Sequence, residues 1–183
     1  CGTDLVSPRI RPISRWVSRR ASACIVKSVE MQRQLDVDSH IIPNGIDLGQ
    51  FQPMSRYKAR QRLGLDTKGR YALFVSDPSR PEKQFELADS ALASVRENGR
   101  AIDPLVVFNK PHSDLPTYMN AADLLLLTSS REGSPNAVKE AMACNLLIVS
   151  TDVGDVRQVI GNTENCLLAD AAPDQIAEAI EQV

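Results

Sequence analysis

Apolar positions in this chain keep two rhythms, and the switch between them marks out the elements. Unbroken apolar runs at Tyr71–Ser76, Leu105–Phe108, Leu124–Thr128, Leu146–Ser150 and Cys166–Leu168 predict short strands covered on both faces. Between them, apolar residues return every three or four positions and predict helices over Glu82–Val95, Leu115–Ala122, Pro135–Ala143, Val153–Ile160 and Pro173–Val183. Phe85, Ala88, Ala91, Leu92 and Val95 form the buried face of the first of these. Pro135 is expected at the first helical position, where its missing N–H costs nothing. Strands alternating with helices predict an α/β protein: a Rossmann-like parallel sheet with helices on both faces.

The chain before Tyr71 reads differently. Arg9 to Ala21 predicts a basic helix with Ile10, Ile13, Trp16 and Val17 on one face and five arginines around it. Cys24–Val26 and Ile41-Ile42 predict short strands, and Ser28 is placed to cap a helix running to about Leu35. Pro43-Asn44-Gly45 predicts a turn.

Composition narrows the class. At 183 residues the chain is one domain, or one domain plus a piece of another. Apolar residues make up 43% and aromatics only 4%, so the core rests on Leu, Ile, Val and Ala. Net charge is −2, but residues 1–33 carry a balance of +5 and residues 34–183 one of −7. That asymmetry fits two structural units, a face for an anionic partner, or a solvated surface. Cys1, Cys24, Cys144 and Cys166 form no CxxC pair, which points to a reducing, cytoplasmic compartment. No run approaches the roughly 20 apolar residues of a membrane span, and no signal peptide is visible. The opening Cys-Gly-Thr-Asp, without Met, suggests a truncated chain. No GxGxxG follows a strand, which argues against a dinucleotide, and no His/Cys group has zinc spacing. Asp36-Val37-Asp38 has a D-x-D spacing but follows a helix rather than a strand, so no metal site is assigned.

In an open parallel sheet, ligands bind beyond the carboxyl ends of the strands. Three segments stand there: Ser76–Lys83, Ser129–Asn136 and Thr151–Asp155. In the second, Gly133 permits a tight turn, and Ser134 and Pro135 begin a helix. The free amides of Asn136, Ala137 and Val138, at the positive end of the helix dipole, make an anion site. Glu132 precedes the turn and Glu140 lies inside the helix, so both are expected to reach one pocket. One would accept hydrogen bonds from sugar hydroxyls and the other from a ribose diol. The plainer alternative is an acidic loop followed by a solvated helix glutamate.

The stretch Glu132-Gly133-Ser134-Pro135-Asn136-Ala137-Val138-Lys139-Glu140-Ala141-Met142-Ala143-Cys144 resembles the E-x7-E motif of the GT4-like group of retaining glycosyltransferases. Leu147–Gly154 continues that pattern into the group's T-x-V-G turn. Ile42-Pro43-Asn44-Gly45-Ile46-Asp47 is similar to its PNGID stretch, and Gly2-Thr3-Asp4-Leu5 to a stretch late in its acceptor domain. The resemblance implies one half of a GT-B fold. Residues 1–43 would be the remnant of the acceptor-side domain and the crossover, and residues 44–183 the domain that binds a nucleotide-diphosphate sugar.

It further implies roles. Glu132 faces the donor sugar, Glu140 binds the ribose hydroxyls, and the amides after Gly133 hold the distal phosphate. Lys83 matches the lysine that neutralises the diphosphate. The usual Gly-Arg after the first strand of that domain is Ser76-Asp77 here, and Arg80 is the replacement cation. No metal and no tightly bound cofactor are then required. The base-like histidine of the group has no match: Cys1 precedes Gly2, and neither His40 nor His112 aligns with it. His112 reads as a loop residue, or as one that touches the base or the sugar. The resemblance implies transfer of a sugar to a hydroxyl acceptor, a sugar or lipid-linked sugar, with retention, in glycan, lipopolysaccharide or glycolipid synthesis. Without the missing acceptor domain the fragment is expected to be inactive. The basic helix would pack into that domain or rest on anionic lipid at the inner membrane surface; nucleic acid is not an expected partner. An epimerase or phosphorylase on the same fold and a non-catalytic nucleotide-binding module are the rival readings.

Overall fold

The computed structural model describes residues 7–183. Cys1 and the Gly2–Leu5 stretch therefore lie outside the described residues. Five parallel strands form the main sheet: β3 (Tyr71–Val75), β4 (Asp103–Val107), β5 (Leu124–Leu127), β6 (Leu147–Thr151) and β7 (Cys166–Ala169). Their order is β4-β3-β5-β6-β7, and every neighbouring pair is parallel. A parallel neighbour can be reached only by crossing over a face of the sheet, which is why a helix intervenes each time. These crossovers are α4 (Phe85–Glu97), α5 (Leu115–Ala121), α6 (Asn136–Ala143) and α7 (Val156–Ile160), with α8 (Pro173–Gln182) following β7. The Rossmann-like α/β sheet expected from the sequence is thus present.

Alternate strand residues feed two cores. Leu73, Leu125, Leu127 and Ile148 join Val138 and Ala141 of α6, Met119 of α5 and Val156 of α7 on one face. Ala72, Phe74, Leu124, Leu126 and Val149 join α4 and α8 on the other, through Ala88, Leu92, Val95, Ile176 and Ile180. The two-residue repeat of a strand splits one apolar run between both layers.

The first part of the chain forms a smaller unit. Helix α1 (Arg11–Ser18) is followed by β1 (Ile25–Val26), α2 (Val29–Leu35) and β2 (His40–Ile41). The two strands pair parallel, with Ile25 opposite His40, over a small core of Val26 and Leu35. Ser28 caps α2 through the Met31 amide, as expected. Asp36 ends that helix in the left-handed conformation and faces Arg19 at 3.8 Å. Arg15 binds the Gln34 carbonyl and so ties α1 to α2, while Ile13, Trp16 and Val17 stay exposed.

Three local expectations change. Pro43-Asn44-Gly45 is not a turn; the chain turns at Asp47–Phe51, where the Phe51 amide bonds the Asp47 carbonyl at 2.9 Å. Pro135 takes the cap position, with ψ 114, rather than the first helical one. The helix expected from Glu82 breaks at Gln84, which has φ 50, so a short 3-10 turn (Pro81–Lys83) precedes α4. Among the described residues no helix is long and apolar enough to cross a membrane.

A helix without apolar periodicity, α3 (Arg56–Leu63), was not legible in the sequence. It docks through Arg60, which is only 5% exposed. The Arg60 guanidinium donates to the carbonyls of Ala121 and Thr67 and to Asp123 Oδ2 at 2.7 Å. Asp123 also accepts from Arg56 and from the Tyr71 amide, so the cluster ties α3 to the starts of β3 and β5. A buried cation is tolerable when each of its nitrogens has a partner, and removing it takes a donor from three acceptors.

Two outcomes test this packing. Arg60→Ala should cost about 3 kcal/mol in urea unfolding; an unchanged midpoint would mean that the cluster does not hold α3. Burial pushes the Cys144 thiol up to about 11, so it stays protonated and unreactive at pH 8. Peptide mapping after iodoacetamide treatment of the native chain should find Cys144 unmodified, and modified only once urea is added.

Candidate functional site

The chain leaves β3 in one direction toward β4, while β5 lies on the other side of β3. The helices that follow β3 and β5 therefore cover opposite faces of the sheet, and the carboxyl edge between these strands is where such a fold is expected to hold a ligand crevice. The loop after β3 is pinned to the end of β5. Thr128 Oγ1 donates to the carbonyls of Lys83 and Gln84, and the Ser130 amide bonds the Glu82 carbonyl. This fixes Lys83 against Glu132: Nζ lies 2.6 Å from Glu132 Oε1, which also accepts from Ser129 Oγ at 2.8 Å. Two predicted site residues separated by 49 positions thus meet across the crevice.

Arg80 is elsewhere. Its guanidinium pairs with Glu82 at the surface. Glu82's own amide, and then Arg80, hold that carboxyl below the usual range. Asp77, standing where the resemblance would put an arginine, is held low by the Ser79 hydroxyl and amide. It closes a local turn in the same loop.

Glycine is needed beside the turn, though not chiefly at Gly133. A Cβ at Gly133 would meet only the flexible end of Met31, at 3.1 Å. Gly154 has φ +60, and a Cβ there would lie 2.7 Å from the Gly133 carbonyl oxygen and 3.0 Å from that of Glu132. The loop after β6 therefore presses directly on the backbone between Glu132 and Ser134. Thr151 Oγ1 adds a bond to the Ser129 carbonyl at 2.7 Å.

Beyond Ser134 and Pro135, α6 begins with no side-chain cap. Because the Pro135 carbonyl is the first helical acceptor, the amides of Asn136, Ala137 and Val138 have no partner within the helix. Asn136 is exposed, Ala137 half-buried and Val138 buried. Ser134 Oγ donates to Asp155 Oδ2 at 2.6 Å and accepts from Lys139 Nζ at 2.5 Å. Lys139 also reaches the Asn44 carbonyl, and the Asn44 side chain bonds Asn136. The segment entering the larger unit is thereby hooked to the start of α6.

Glu140 lies on the buried side of α6 and is 4% exposed. Its Oε1 sits 2.9 Å from His112 Nε2, in the loop after β4. The sequence offered no sign of this pair, nor of Lys139 and Asp155 beneath Ser134. Partners this distant in sequence leave no spacing to read. Among the described residues, no three His, Cys, Asp or Glu side chains are grouped to hold a metal ion.

Comparison with known proteins identifies the family and the fold. Residues 72–183 match the family described as Glycosyl transferases group 1. A Bacillus subtilis protein named as a teichuronic acid biosynthesis glycosyltransferase, TuaC, is 31% identical over 87% of this chain and 46% of its own length. Sucrose-phosphate synthase from Thermosynechococcus elongatus superposes with a TM-score of 0.81 at 21% identity, over 96% of this chain and 52% of that one. Anabaena HepE, solved in complex with UDP and glucose, gives 0.78 at 20% identity, over 96% of this chain and 57% of its own. The chain spans about half the length of the relatives it matches.

Gly154→Ala should destabilise the chain by about 2 kcal/mol, lowering Tm by roughly 4–8 °C. Gly45→Ala, where a Cβ meets nothing within 4 Å, should leave it unchanged. Equal melting of both variants would show that the contact of Gly154 with the Gly133 carbonyl is not a constraint.

Proposed function

The chain belongs to the Glycosyl transferases group 1 family and has the α/β fold of one half of a GT-B enzyme; from that premise we propose that it is the donor-binding part of a nucleotide-sugar-dependent glycosyltransferase. The observation that carries the proposal is the Lys83–Glu132 pair set across the crevice beside the uncapped start of α6. A cation, a carboxylate and free amides at one edge suit a ligand with a diphosphate at one end and hydroxyls at the other. The UDP and glucose complex of HepE supports the same class of ligand.

In this reading the amides of Asn136, Ala137 and Val138 take the distal phosphate beyond Gly133, Ser134 and Pro135. Lys83 stabilises the charge that develops on the leaving diphosphate. Glu132 accepts hydroxyls of the transferred sugar, and Glu140 those of the ribose. Arg80 joins Lys83 by turning from Glu82, which its exposed position allows. The sugar passes to a hydroxyl acceptor, the C–O bond to the diphosphate breaking as that to the acceptor oxygen forms, and the acceptor's proton goes to the departing diphosphate oxygen. Transfer proceeds with retention, on the face that the leaving group departs, and without a metal ion. Residues 1–43 belong to the acceptor side and residues 44–183 to the donor side. The exposed face of α1 meets the remainder of an acceptor domain, so that the whole enzyme, at the cytoplasmic side of the membrane, is needed for turnover.

Thermal melting with UDP, GDP, ADP and dTDP tests donor binding. One diphosphate at about 100 times its dissociation constant should add roughly 2.7 kcal/mol. Glu140→Ala should abolish that gain; four flat responses would remove the proposal for this chain. NMR of the product made by the longer enzyme should show the donor's anomeric configuration, and an inverted product would overturn retention.

A further inference from the structure

We propose that His112 is the positioning residue for Glu140, and that this pair makes the site selective for ribonucleoside over 2′-deoxyribonucleoside diphosphates. The inference rests on the reading of Glu140 as the ribose ligand.

Glu140 is a buried carboxylate with one hydrogen-bond partner among the described residues, the imidazole of His112. An ionised carboxylate only accepts, so His112 donates from Nε2. The second oxygen, Oε2, has no partner among the described residues. Among the described residues, the fully enclosed unpaired side-chain atoms are Ser39 Oγ, Gln84 Oε1 and Asp155 Oδ1, and Oε2 of Glu140 is not one of them. One oxygen is therefore held, and the other keeps a small solvent contact through which a ligand hydroxyl would reach it. A carboxylate free at both oxygens would turn about its last bond, because rotation about that torsion is soft. An N–H on Oε1 sets the carboxylate plane, and with it the direction of the lone pairs offered to a cis diol.

His112 is itself held. It opens a 3-10 turn (His112–Asp114) that leads into α5, and its carbonyl accepts from Gln50 Nε2 at 3.1 Å. Its ring meets Phe51 edge-on, with centroids 5.3 Å apart and planes at 61°. Phe51 is buried in the sheet core. Both holding residues lie in the Asp47–Phe51 turn. The imidazole is thus anchored on one side by a core aromatic and reaches Glu140 on the other, while 61% of its side chain stays exposed. An ordinary loop histidine would have neither a fixed ring nor a buried charged partner. Losing the donor frees Glu140 to turn away from the diol. A ligand without the 2′-hydroxyl makes less use of Glu140 and has less to lose.

The test measures dissociation constants of this chain for UDP and 2′-deoxy-UDP, and for the corresponding GDP and ADP pairs, by calorimetry. Wild type should bind one ribonucleotide more tightly than its deoxy partner. His112→Phe keeps a ring against Phe51 but has no donor; it should weaken the ribonucleotide about tenfold and the deoxynucleotide little, erasing the preference. His112→Gln, whose amide can reach the same oxygen, should restore it. Equal weakening of both sugars by His112→Phe, no change at all, or a Gln variant that fails to restore the preference would overturn the proposal. If wild type binds none of the six ligands, the donor-site reading falls first, and that result appears before any variant is made.

Discussion

A parallel sheet cannot return on itself by a tight turn, and the rest of the molecule follows from that constraint. Each strand of the main sheet has to be reached by a crossover, so helices cover both faces. Every carboxyl-end loop then opens on the same edge. Because β4 lies on one side of β3 and β5 on the other, the helices after β3 and β5 cover opposite faces of the sheet. Lys83 and Glu132, remote in sequence, are brought to 2.6 Å at that edge.

The edge is stiffened mostly by backbone acceptors. Thr128, Ser130 and Thr151 spend their hydroxyls on carbonyls of neighbouring loops, and the small residue at Gly154 lets the loop after β6 lie on the turn at Gly133. Such contacts hold the backbone on either side of the Lys83–Glu132 pair. Charged residues beneath the turn find partners within the protein, although Asp155 Oδ1 stays unpaired. Lys139 and Asp155 both bond the Ser134 hydroxyl, and Lys139 holds the carbonyl of Asn44. The entry of the chain into the larger unit is therefore fastened to the helix start that would face an anion.

The opposite edge is organised by a single buried cation. Arg60 and Asp123 connect α3 to two strand starts without an apolar stripe on the helix. Hydrophobic pattern alone cannot disclose such a helix, because what it buries is a guanidinium whose three nitrogens each have a hydrogen-bond partner.

Strand and helix identity after Tyr71, the parallel sheet and the Glu132–Glu140 segment were all legible in the sequence. Apolar runs of strand length and apolar repeats of helical period depend on near neighbours, and so does the motif that carries the family resemblance. The tertiary structure decided what neighbours in sequence do not set. It turned Arg80 toward Glu82, made Pro135 a cap, moved the expected turn from Asn44 to Asp47–Phe51, and joined His112 to Glu140. The physical reason is common to these cases. A side chain or loop takes the partner that folding brings within hydrogen-bond reach, and for Glu140 that partner comes from a loop on a different strand, 28 positions away.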